Sequence, residues 1–328
     1  MELPDKRPIH PWVADAAGGV RIGLMATIAG DVNGLIKQVQ AYQSLGYDSF
    51  WLADHPLRTS DPWIVLAAIA RETDSIRLGV MVSCAAYRHP LMLARVVADV
   101  DRISEGRVVL GIGSGDVPAE FAAMGLEYGS ARSRRQRLED SLKSIPRLLA
   151  GDSVNIESPD FALRAATLQL PPVQTPRVPV LVAGGSRQTL RLVAEYGDAC
   201  NLGAVSWAGG AYTTAELEQR LTALRNSCEA IGRNYDSILR TGLAVPVLAD
   251  TREQALSRVQ ALPVAAREFA GQLFIAGTAV DVVEGLNVMI DLGIQYLVVF
   301  FVQPDGPQRF ASEVMPNLRG FRHSARRA

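Results

Sequence analysis

Cysteine is scarce in this 328-residue chain: Cys84, Cys200 and Cys228 are the full set, an odd number with no CxxC spacing. That excludes a disulfide framework and argues against a zinc site, and a reducing compartment is expected. Lysine is scarce too, since Lys6, Lys37 and Lys143 stand against arginines that make up the rest of the 33 basic residues. With 34 acidic residues the net charge is −1, and no block of one sign offers a footprint for nucleic acid. The arginine-rich end, 322–328, reads as a short solvated tail. Long apolar runs are missing as well: none approaches the ~18 residues of a membrane-spanning helix, and residues 1–18 carry Asp5, Lys6 and Arg7 without an apolar leader core. The chain reads as soluble and cytoplasmic, with a small molecule as its partner and neither nucleic acid nor a membrane. No Pro/Gly/Ser linker divides it.

What is present is a large apolar fraction, 48%, arranged in a recurring pattern. Short apolar runs, often β-branched, fall at 21–26, 49–53, 76–82, 107–112, 178–183, 199–203, 238–247 and 295–301. Several are apolar on both faces, as strands of a parallel sheet covered by helices must be. Helical stripes lie between them: Val32, Leu35, Ile36 and Val39; Leu138, Leu142, Ile145 and Leu149; Val282, Leu286, Met289 and Ile290. Asp31 and Thr278 are suited to cap helix starts, and Gly46 and Gly293 to end helices. A strand followed by a helix eight times closes most naturally into an α/β fold of the (β/α)8 TIM-barrel type. A doubly wound open sheet is the rival. The expected division is an N-terminal tail at 1–19, a barrel at 20–320 and a C-terminal tail at 321–328. A proline-rich stretch at about 150–178 breaks the alternation and reads as an insertion or lid after the fourth helix.

In a barrel the chemistry sits where strands end and helices begin, which selects 54–55, 83–90, 113–120, 184–189 and 201–207. Asp54-His55 directly follows the second run. A histidine there can exchange protons near neutral pH, with the carboxylate biasing its tautomer; an ordinary loop turn is the plainer alternative. Asp116 closes Gly111-Ile112-Gly113-Ser114-Gly115-Asp116. The spacing is a poor match to a dinucleotide fingerprint, so glycines such as Gly113 are expected to let the backbone turn and approach a flat ligand. Gly184-Gly185-Ser186-Arg187-Gln188 opens a helix, where free amides and the positive dipole end suit an anion; a plain strand-to-helix turn is again the alternative. Trp12, Trp63 and Trp207 are candidates for an apolar pocket or for packing.

Taken in order, these segments resemble the luciferase-like monooxygenase superfamily from about residue 20 to 301. The most specific part is Leu78-Gly79-Val80-Met81-Val82-Ser83-Cys84 leading to Arg88-His89-Pro90, then Asp101-x-x-Ser104-x-Gly106-Arg107-x-x-Leu110-Gly111-x-Gly113. The resemblance implies a (β/α)8 barrel. It implies a non-prolyl cis peptide at Met81–Val82, with Met81, Val82 and Ser83 beside a flavin-like ring. The Asp-His pair resembles the branch that uses the deazaflavin F420, with FMN as the alternative cofactor. On that resemblance Asp54 orients the deazaflavin, His55 assists proton transfer, Asp116 takes the place of a family acid, and the turn at 184–188 receives the cofactor phosphate. It also implies a homodimer. The chain departs from the F420-dependent sugar-phosphate dehydrogenases: it has no lysine at 202–206 and Gln272 in place of an arginine, so a non-phosphorylated substrate is expected. Three functions follow for comparison, an F420-dependent oxidoreductase, an FMN-dependent monooxygenase using O₂, and a barrel that binds cofactor without catalysis.

Overall fold

The computed structural model describes residues 8–16, 18–26, 30–202 and 213–322. Within them the apolar runs become eight parallel strands: β1 (Arg21–Ala26), β2 (Ser49–Leu52), β3 (Arg77–Val80), β4 (Val108–Gly113), β5 (Val180–Ala183), β6 (Ala199–Asn201), β7 (Leu239–Leu248) and β8 (Tyr296–Phe300). Each pairs with the next, from Gly23↔Ser49 between β1 and β2 to Thr241↔Tyr296 between β7 and β8. Pairing of β1 with β8, Arg21↔Tyr296, closes the ring. The fold is a closed barrel and not an open doubly wound sheet. The second half of β7 leaves the ring to pair with an additional short strand, Phe274–Gly277.

The α-helices are α1 (Pro11–Ala16), α2 (Val32–Ser44), α3 (Pro62–Arg71), α4 (Pro90–Ile103), α5 (Pro118–Ala123), α6 (Ala131–Leu149), α7 (Arg187–Tyr196), α8 (Thr214–Glu229), α9 (Arg252–Ala261), α10 (Val264–Ala270), α11 (Ala279–Leu292) and α12 (Gly306–Arg309) among the described residues. Their ends follow local chemistry. Asp31 accepts from Gly34 N at 3.0 Å to cap α2. Thr278 forms a reciprocal capping box with Asp281 on α11, which ends at Gly293 in the left-handed conformation, φ 113°.

Strand alternation divides the core in two. Leu24, Val80, Leu110, Val182 and Val299 face the helices, and Trp51, Val109, Leu181, Leu239, Tyr296 and Val298 fill the barrel. Trp51 has room because β1 and β3 carry glycine beside it: a Cβ on Gly79 would lie 2.3 Å from the indole, and one on Gly23 2.8 Å from its nitrogen. Part of the expected N-terminal tail is instead the helix α1, whose Trp12, fully buried, packs edge-on to Tyr296 at 5.6 Å. It plugs the end where the strands begin, leaving the opposite mouth for chemistry. The insertion after α6 folds as an antiparallel hairpin, Val154–Glu157 with Ala162–Ala166.

Candidate active site

The third strand, expected as one run, is interrupted. The Met81–Val82 peptide bond is cis, and pairing with β4 resumes at Ser83 and Cys84. Between Gly79↔Val109 and Ser83↔Ile112 the third strand carries one residue more than its neighbour, a bulge at the mouth. Met81 turns into the barrel and is buried; Val82 is the half-buried member. Gly113 serves this bulge and does not simply open a path for a ligand: a Cβ there would lie 2.7 Å from Val82 Cγ2. Ser83 has a side chain already occupied by the core, since its buried hydroxyl accepts from Trp63 Nε1 at 3.1 Å. Trp63 and Trp12 are packing residues, both fully buried. Trp207 and all but the first residue of 202–206 lie outside the described residues, as does the side chain of Gln272.

Asp54 leaves the end of β2 with 5% of its surface exposed. Burial pushes its carboxyl up, opposed by the Arg88 guanidinium, whose Nη1 donates to Asp54 Oδ2 at 2.5 Å while Nη2 donates to Asp61 Oδ2 at 2.7 Å. Asp61 in turn caps α3. Asp54 is thus held in a structural ion network.

His55 is fixed by its backbone: its carbonyl accepts from Arg58 N and Thr59 N, each at 2.9 Å. Its Nδ1 meets Glu120 Oε1 at 3.1 Å and Oε2 at 3.2 Å. Tyr87 donates to the same Glu120 Oε2 at 2.7 Å. Burial, reinforced by Glu120, pushes the Tyr87 phenol well above its ordinary range, so it stays a donor. Behind it, Tyr87, Phe121 and Tyr128 stack edge to face at 5.4 and 5.0 Å.

Asp116 is half-buried. Burial pushes the Cys84 thiol up to about 12, with the charges of Asp54 and Asp116 adding to it, and Asp116 adds to Tyr87 as well. The mouth by β2–β4 therefore gathers Asp54, His55, Tyr87, Arg88, Asp116 and Glu120. Across it, β5 runs into Gly184 at φ 127°, where a Cβ would lie 2.9 Å from Thr189 Cγ2. Gly185 is buried, and Ser186 caps α7 by accepting from Thr189 N at 3.2 Å. The exposed Arg187 and Gln188 begin the helix, ahead of its first hydrogen bond from Leu190 N to Ser186 O, so their amides are available to an anion.

Sequence did not single out Glu120 or Tyr87, and it marked Arg88 only as part of the Arg88-His89-Pro90 motif, without a role in the site. The Asp101–Arg107 part of the family motif does other work, at the opposite end of β4. Buried Asp101 accepts from Val173 N, Gln174 N and Gln174 Nε2, fastening the segment that follows the hairpin. Buried Arg107 donates to Ser104 O, Ile76 O, Ala70 O, Thr73 O and Thr73 Oγ1, tying helix ends to the strand start.

Residues 12–295 match the family model described as luciferase-like monooxygenase. The chain belongs to this family. Among its relatives, a 4-hydroxyprotoasukamycin monooxygenase of Streptomyces nodosus subsp. asukaensis is 34% identical over 218 residues, 64% of this chain and 57% of that one. An F420-dependent glucose-6-phosphate dehydrogenase of Microbacterium testaceum is 28% identical over 322 residues, 84% of this chain and 90% of that one. Several curated relatives are matched over only about three fifths of their length, 57%, 62% and 61% in three cases. In fold, the chain resembles the F420-dependent tetrahydromethanopterin reductase of Methanopyrus kandleri, with a TM-score of 0.75 at 19% identity, covering 92% of this chain and 100% of that one.

Proposed function

We propose that this protein is an oxidoreductase that uses F420 to exchange hydride with a small, non-phosphorylated organic substrate, His55 handling the substrate proton. The observation that carries the reading is His55 at the end of β2, held against a buried carboxylate at the open mouth of the barrel. The residues present suit a ring with a phosphate tail. Gly184 to Gln188 would hold the phosphate through first-turn amides. The bulge at Val82 would back the ring, and Asp54, kept in place by Arg88, would border it. F420, when bound, supplies a hydride donor or acceptor at C5; the protein supplies orientation and electrostatics. His55 faces the mouth with 29% of its side chain exposed, where it would meet a substrate oxygen, and Asp116 adds a second acid on the same side. Relatives named as F420-dependent dehydrogenases support this cofactor. FMN with O₂ is the second reading, favoured by the monooxygenase from Streptomyces nodosus. A homodimer belongs to the proposal too, with Ile64 on α3 and Met92 on α4 as exposed apolar side chains at 70% and 51%.

The test is single-turnover reduction or oxidation of F420 by the purified protein against a panel of small alcohols and ketones. Turnover that falls roughly 10²-fold or more in His55→Ala is expected. Binding without turnover by any panel member, unchanged by His55→Ala and Asp116→Ala, would mark a barrel that only stores cofactor.

A further inference from the structure

Glu120 is an unusual carboxylate. It is 1% exposed, yet its hydrogen-bond partners among the described residues are an imidazole and a phenol, not a lysine or arginine. Burying an ionised carboxyl is costly unless its oxygens are satisfied, and here His55 Nδ1 and the Tyr87 hydroxyl do so. A carboxylate only accepts hydrogen bonds, so the ring nitrogen facing it must donate. A neutral imidazole carries one N–H, which leaves the other nitrogen, Nε2, as a lone-pair acceptor. The ring keeps 29% of its side chain exposed while the carboxylate is closed off, so solvent and substrate reach the ring and not Glu120.

We infer that Glu120 and Tyr87 are positioning residues that lock His55 as its Nδ1–H tautomer, so that Nε2 is the nitrogen that takes or returns the substrate proton. The inference rests on the acid–base role proposed for His55 and specifies which of its atoms performs it. Tyr87 holds one carboxylate oxygen, Oε2, and limits rotation of the carboxyl group. Phe121, next to Glu120 on α5, holds the Tyr87 ring by its edge at 5.4 Å. Other ionisable groups near the cluster are Asp54, Asp116, Cys84 and Arg88. Arg88 is paired with Asp54 and Asp61, and Glu120 is the carboxylate that meets His55 Nδ1.

Long-range ¹H–¹⁵N spectra of cofactor-free protein labelled at histidine nitrogen test this directly, recorded at a pH high enough that the signals no longer change with pH. The chain has four histidines, and His55→Asn identifies the signal. The expected wild-type pattern is a single Nδ1–H tautomer. It should persist in Glu120→Gln, whose amide oxygen still accepts, and pass to the Nε2–H form in Glu120→Ala. With substrate and F420, kcat should fall about 10²-fold in Glu120→Ala at a KM changed by less than about threefold, and recover in Glu120→Gln. A wild-type His55 that is Nε2–H or a mixture of tautomers overturns the inference without any variant. So does an Nδ1–H signal unchanged in a folded Glu120→Ala. The spectra need no cofactor, so a protein that fails to bind F420 sinks the proposed function and leaves this result standing on its own.

Discussion

At the scale of single residues, the mouth holds charge in buried places, where Asp54 pairs with Arg88 and Glu120 with His55. Asp54 shows the consequence most clearly. Replacing Arg88 with methionine would keep the packing volume of the side chain and remove the guanidinium bonded to the Asp54 carboxyl, which is 5% exposed. Breaking a buried pair on one side costs about 3–5 kcal/mol, so Arg88→Met should lower unfolding stability in urea by that order, and Asp54→Asn added to it should restore part of the loss. The sign with pH follows from burial, which already pushes the Asp54 carboxyl up. A carboxyl whose folded value lies above its unfolded one holds its proton longer in the native state. The deficit of Arg88→Met should therefore shrink as the pH falls and grow toward neutrality. The Asp54-His55 pair was legible because it directly follows an apolar run. Glu120 was not: it lies 65 positions from His55, and no local pattern distinguishes a glutamate that turns inward in a first helical turn from one that faces water.

At the scale of elements, most strands were readable because burial on both faces leaves unbroken apolar runs. β1 coincides with its expected bounds, and β2 and β8 fall within theirs. The break in the third strand was expected only through family resemblance, since nothing in the composition of 76–82 marks it. α1 was missed because six residues are too few to display a helical period; only the buried indole of Trp12 reveals its role. That plug carries a pH dependence. His10 accepts from Trp12 N through Nδ1 at 3.0 Å, and its Nε2 lies 2.9 Å from Arg177 O, an arrangement that needs the neutral ring. Burial lowers its pKa to about 4. The unfolded chain binds a proton near the ordinary value of 6.5, the folded chain only near 4, so stability is lost as the pH falls through that window. Urea unfolding from pH 7 to pH 4.5 should show a slope of up to about 1.4 kcal/mol per pH unit from this one group. His10→Gln should flatten it; an unchanged slope would mean that His10 is protonated in the native state.

At the scale of the whole molecule, closure of eight strands sets which groups can meet. β2 and β4 lie on either side of β3, which brings His55 and Glu120 together, and β5 follows β4 around the ring with its helix-opening turn at 184–188 on the same face. Closure follows from strand count and connection, so it was legible. The pairing of His55 with Glu120 across the mouth joins residues far apart in sequence, and such a pairing has no signature in a single chain. No described helix is long and apolar enough to cross a membrane. On the proposed function, one face carries both an anion cradle at 184–188 and a proton-handling histidine serving a deazaflavin. Titration of the purified apoprotein with F420 and, separately, with FMN, followed by cofactor fluorescence, tests it most directly. Saturable binding of F420 at least about tenfold tighter than FMN is expected, weakened by Gly184→Val, whose side chain has no room beside Thr189. Preferential binding of FMN, or F420 binding indifferent to Gly184→Val, would contradict it.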